Sequence, residues 1–173
     1  MQFYEFGEEN EKTLMLIHGM ATTWEMSFSS LIQEALKYYH LIVVALDGHN
    51  EEEKSEFVSL EDEAEKIEKY VMNKHSGKLH AVYGSSLGGT IVLQILANHK
   101  IEITKTVLDS PYATDYGVLS SMATKIMTAF SLKMINGESK IMRKMMGLED
   151  KESVNALMYT NISKETLENC FYT

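Results

Sequence analysis

Residues 79–90 read Leu79-His80-Ala81-Val82-Tyr83-Gly84-Ser85-Ser86-Leu87-Gly88-Gly89-Thr90, and Ile91-Val92-Leu93-Gln94-Ile95-Leu96-Ala97-Asn98 follows. A short apolar run predicts a buried strand, the longer segment after it predicts a helix, and Gly-Ser-Ser-Leu-Gly joins them. Flanking glycines let the chain turn where a Cβ would meet neighbouring backbone. Ser86 is thereby expected at the top of a sheet, beside the free N–H groups that open a helix. Other readings of the same glycines fare worse. A phosphate loop needs a lysine before Thr90 and has none, and the dinucleotide fingerprint fails because Ser86 stands at its second glycine. A purely structural use, in which the glycines only allow close helix–sheet packing, remains open.

Three further segments carry a resemblance. Thr13-Leu14-Met15-Leu16-Ile17-His18-Gly19-Met20, Leu41-Ile42-Val43-Val44-Ala45-Leu46-Asp47-Gly48-His49 and Lys105-Thr106-Val107-Leu108-Asp109-Ser110-Pro111 resemble successive strands of the α/β-hydrolase fold, spaced as in that family over about the first 115 residues. The resemblance implies an α/β fold with a mostly parallel sheet flanked by helices, an oxyanion loop starting at His18-Gly19, and a helical cap. It says little about substrate, because this fold hosts many chemistries.

The order of elements is predicted as follows. Gln2–Phe6 is an edge strand, Leu14–Ile17 a buried one, Ala21–Tyr39 a helix, and Leu41–Leu46 a second buried strand. The acidic stretch from Asn50, with Glu51-Glu52-Glu53, reads as a solvated loop. Ser59 caps a helix running to Lys74, and Ile103–Leu108 is the last strand. Beyond Tyr112 only helices are expected, at Val118–Ile135, Ser139–Met146, Lys151–Met158 and Lys164–Phe171, with Ser153 or Ser163 as caps. Residues 1–113 are thus read as the hydrolase core and 114–173 as the cap. Met122, Met127, Met134, Met142, Met145, Met146 and Met158 either give that cap a soft apolar lining or pack it onto the core.

Serine acyl transfer needs an attacking oxygen, a base, an orienting acid and donors for the oxyanion. Ser86 is the attacking oxygen; the resemblance assigns the donors to the backbone N–H groups of Met20 and Leu87. No histidine follows His99, although the family places its base late in the chain. His80 lies roughly 15 Å from the elbow, at the far end of its strand, and His99 is about 20 Å along the following helix. His40 and His75 also belong to the opposite edge. That leaves His18, which the family uses structurally at the oxyanion loop, and His49, expected as a surface or loop-ordering residue. Asp109 is a candidate acid, or else a cap for the turn at Ser110-Pro111. The chain therefore resembles the N-terminal part of a larger hydrolase, without its C-terminal third.

Composition bounds the rest. With 173 residues the chain is one domain in length, and a net charge of −9 argues against a nucleic-acid surface. The single cysteine, Cys170, and an N-terminus unlike a signal peptide predict a cytoplasmic protein, and no run is long enough to span a membrane. The expected partner is a small apolar acyl substrate, most simply a carboxylic ester, with no metal or organic cofactor. The Ile103–Leu108 strand, left at an edge, is expected to recruit a second copy of the chain. A non-catalytic ligand-binding protein, or a lyase, transferase or peroxidase on the same scaffold, remains an alternative.

Overall fold

A computed structural model describes residues 1–52, 54–112, 120–137, 143–144, 147–148 and 150–171. Five strands run in the chain: β1 (Gln2–Phe6), β2 (Thr13–Ile17), β3 (His40–Ala45), β4 (Lys78–Ser85) and β5 (Glu102–Asp109). They form one sheet in the order β1-β3-β2-β4-β5. Only β1 is antiparallel, against β3; the other pairings are parallel. Parallel neighbours require crossovers, and helices α1 (Trp24–Ala35), α2 (Leu60–Lys74) and α3 (Leu87–Asn98) supply them.

The alternation of β3 sorts its side chains to two sides. Ile42 and Val44 join a large cluster with Ala64 and Ile67 of α2 and Ile91 and Ile95 of α3, while Leu41 and Val43 meet Phe28 and Ala35 of α1. Strand β3 is therefore apolar throughout because both of its faces are covered. Strand β5 is different. It lies at the sheet edge, and nearly all of its residues are exposed, with Val107 at 52% and Leu108 at 36%.

After β5 come α4 (Ser120–Ile135), α5 (Lys151–Leu157) and α6 (Lys164–Phe171). Helix α6 is tied to the core: Cys170 joins the large cluster, and the Asn169 side chain donates to the Phe57 carbonyl. A smaller cluster joins Ile135, Tyr159, Ile162 and Leu167 to Ala21. Among the described residues no helix is long and apolar enough to cross a membrane.

Several expectations need correction. The first helix is shorter than Ala21–Tyr39: Ala21 sits at φ 54°, so the helix starts after Thr23, whose hydroxyl accepts the Met26 N–H. Helix α5 is capped by Asp150, which accepts both the N–H and the hydroxyl of Ser153; Ser163 is the residue that holds the N–H of Thr166 at the start of α6. Helix α4 buries Thr124, Thr128 and Ser131 and leaves Met122 and Met127 exposed, while Met158, further along, packs against the cluster at Ile135 and Leu167. Met142, Met145, Met146 and most of the Ser139–Met146 helix, like Glu53, fall outside the described residues.

Candidate active site

The elbow between β4 and α3 is built by crowding. A Cβ on Gly84 would lie 2.5 Å from the Gly88 carbonyl oxygen, and one on Gly88 would lie 2.2 Å from the Ile17 carbonyl oxygen. Only glycine permits that approach of strand, helix and the neighbouring strand β2. Ser86, between them, adopts φ 51° and ψ −115°, a conformation that costs a non-glycine residue roughly 1–3 kcal/mol and persists only where surroundings enforce it. Its N–H is bonded to the Asp109 carbonyl at 2.8 Å, which anchors the turn to the end of β5.

The loop after β2 reaches the same place. A Cβ on Gly19 would sit 3.4 Å from the Ser86 Cβ. The Gly19 carbonyl accepts from His18 Nδ1 at 2.8 Å and from the Thr22 hydroxyl at 3.1 Å. Because a trans peptide points its C=O and N–H in opposite directions, this pins the Met20 N–H away from that pair. Among the described residues nothing accepts from the N–H of Met20 or of Leu87, the first residue of α3.

His18 is fully buried and both of its nitrogens are used: Nδ1 donates to Gly19, and Nε2 accepts the Leu46 N–H at 3.2 Å. Burial, with His49 nearby, lowers its pKa to about 3. It has no free lone pair with which to take a proton from Ser86. Asp109 stands beside the elbow in register with Ser85, but its carboxylate accepts the Tyr83 hydroxyl at 2.8 Å and that of Ser110 at 3.1 Å.

His49 corrects the expectation of a surface residue. It is fully buried, its ring 5.5 Å from that of His18 and 6.4 Å from that of Phe57. Nδ1 donates to the Asp47 carbonyl at 2.8 Å, Nε2 has no partner among the described residues, and burial lowers the pKa to about 4. The polar run Asp-Gly-His-Asn concealed this, because a loop folded under α6 carries no apolar periodicity. His49 belongs to the wall of a cleft of about 370 Å³ that also involves Trp24 and Tyr159 but not Ser86.

Asp47, Asp62 and Glu63 bring carboxylate oxygens within 4.8 Å of one another, a spacing suited to a divalent cation. Lys66 stands among them, bridging Asp47 and Asp62 and lying 3.4 Å from Glu63, while the Met1 amino group pairs with Asp47. Burial and the charge on Asp47 push the Glu63 carboxyl up to about 8. The cluster is thus already neutralised by ammonium groups.

A model of the alpha/beta hydrolase fold matches residues 12–141, three quarters of the sequence. The chain belongs to the alpha/beta hydrolase fold family. Among solved structures this hydrolase-fold chain is similar to an alpha/beta hydrolase family protein from Desulfitobacterium hafniense, with a TM-score of 0.82 at 24% identity over 99% of this chain and 70% of that one. A carboxylesterase structure from Nitrososphaera gargenis gives 0.72 at 17% identity, over 99% and 68% of the two chains. A thermophilic esterase from Thermogutta terrifontis gives 0.70 at 16%, over 98% and 64%. No curated protein matches the sequence.

Proposed function

We propose that the chain is a serine hydrolase acting on small carboxylic esters through an acyl-enzyme on Ser86. The observation that carries this reading is the strained φ of Ser86 at the opening of α3, beside backbone N–H groups at Met20 and Leu87 that no acceptor in the described residues occupies. Ester attack places negative charge on the former carbonyl oxygen. Two such N–H donors stabilise it in a way that water, which must reorient, does not, and each is worth about 3 kcal/mol of barrier. Residues 1–113 act as the core and 114–173 as the cap, and the small apolar acyl group enters between them. A reducing, cytoplasmic setting suits the lone buried thiol of Cys170.

A second reading has its own support. His18 is spent on structural bonds, and Asp109 is held by Tyr83. On that basis the chain by itself binds esters without turning them over, its base coming from elsewhere. Hydrolysis of p-nitrophenyl acetate, with and without added imidazole as an external base, separates the two. The hydrolase reading expects a rate above that of Ser86→Ala in both conditions; the binding reading expects the difference only with imidazole. Equal rates for both proteins in both conditions remove Ser86 as nucleophile.

A further inference from the structure

We propose that Tyr83 is a positioning residue for acyl transfer at Ser86, acting through Asp109 at the open edge of the sheet. The role rests on the acyl-transfer reading of Ser86. Tyr83 and Ser85 point to the same side of β4, and Ser85 stands opposite Asp109 in the parallel register with β5. Across that step the Tyr83 hydroxyl donates to Asp109 Oδ2 at 2.8 Å. Asp109 thus joins Tyr83, through its side chain, to the nucleophile, through its main chain: its carbonyl accepts the Ser86 N–H at 2.8 Å.

Ser86 needs outside support, because φ 51° is a conformation its own backbone disfavours. Its carbonyl is committed to α3, where it accepts the Thr90 N–H at 3.0 Å. Its N–H depends on Asp109, the last residue of β5, a strand with one open side and nearly every residue exposed. Strand ends of that kind open locally before the core does. Further on the chain is fixed again at α3: the Tyr112 N–H donates to the Thr90 hydroxyl oxygen at 3.1 Å, and that hydroxyl donates to the Tyr112 carbonyl at 2.7 Å. Asp109 and Ser110, the latter also at φ 51°, lie between the paired part of β5 and that anchor.

Among the described residues two groups donate to the Asp109 carboxylate. The Ser110 hydroxyl, at 3.1 Å, belongs to the same turn. Tyr83 reaches it from another strand, and its ring is seated against the α1 side of the core, 5.9 Å from that of Phe28 and edge-on to it. Burial, and then Asp109, raise the Tyr83 hydroxyl above its usual pKa, so it keeps the proton it donates. A hydrogen bond to an ionised acceptor is stronger than a neutral one. Tyr83 therefore clips the end of an open edge strand to the core, and the bond that sets the Ser86 backbone is held in place.

Two readouts test the bond and the chemistry separately. In Tyr83→Phe the ring still packs against Phe28 and only the hydroxyl goes. Amide hydrogen exchange followed by NMR should find the Ser86 N–H exchanging about fivefold faster, as for one lost hydrogen bond, with the amides of β2 unchanged. Asp109→Ala should do the same, whereas Asp109→Asn, which keeps an acceptor for the phenol, should retain most of the protection. With p-nitrophenyl acetate and imidazole present, acetylation of Ser86 at saturating ester should slow about fivefold in Tyr83→Phe while KM stays that of the parent chain. Unchanged Ser86 exchange in Tyr83→Phe overturns the proposal without reference to catalysis. So does a rate loss carried by KM alone, a loss of protection that extends to β2, or an Asp109→Asn variant as unprotected as Asp109→Ala. A parent chain acetylated no faster than Ser86→Ala removes the hydrolase reading and the role that rests on it; faster Ser86 exchange in Tyr83→Phe then marks the failure as one of chemistry, not of the clip.

Discussion

Gly88 and Gly77 show how differently one residue type is used. Gly88 has ordinary φ, and its lack of a Cβ lets backbone carbonyls of β2 come within van der Waals reach; Gly77 turns at φ 73° with open space around it. Gly88→Ala must displace main chain and should lose at least about 3 kcal/mol or fail to fold, whereas Gly77→Ala should lose only about 1 kcal/mol of backbone strain. Urea unfolding of the two variants checks this, and comparable losses would contradict it. The elbow was legible because glycines flanking a serine between strand and helix have few other uses. His49 was not legible. Its burial depends on α6 folding over the loop after β3, where the Thr166 hydroxyl accepts the Phe57 N–H at 3.3 Å, and no local pattern announces a contact across that separation.

At the scale of elements, the strands were readable because those covered on both faces are continuously apolar, and their parallel order follows from the intervening helices. The helices after β5 were less so. Helix α4 exposes Met122, Ile126 and Phe130 at 64%, 58% and 50% and buries hydroxyl side chains, the reverse of what its composition suggests. Strand β5 presents the matching question at the sheet edge. We propose that it pairs antiparallel with β5 of a second copy, about Val107: Lys105 then faces Asp109 of the other chain twice, and Thr106 faces Leu108. Val107→Lys places two ammonium groups together at the centre. Size-exclusion chromatography with light scattering should find a dimer for the parent chain and a monomer for the variant; a monomeric parent would refute the pairing.

For the molecule as a whole, buried titratable groups set a stability optimum. His18 and His49 bind protons near 6.5 when unfolded but only near about 3 and about 4 when folded. Between those limits the unfolded chain holds more protons, so stability falls as pH drops. Glu63 acts oppositely: folded, it keeps its proton up to about 8 against 4.5 unfolded, so stability falls as pH rises through that window. The slopes cancel near pH ~6.5. Urea midpoints should therefore be highest there and lower at pH ~5 and ~8. A midpoint that keeps rising through the alkaline side would show that Glu63 is ionised in the fold.

The central claim is that the hydroxyl of Ser86 accepts an acyl group. Brief reaction with p-nitrophenyl acetate, with imidazole present, followed by acid quench and peptide mass spectrometry, tests it most directly. One acetyl group is predicted on the peptide spanning the elbow, at Ser86, and none there in Ser86→Ala. Acetylation confined to lysines or other hydroxyls, with Ser86 unmodified, would contradict the account.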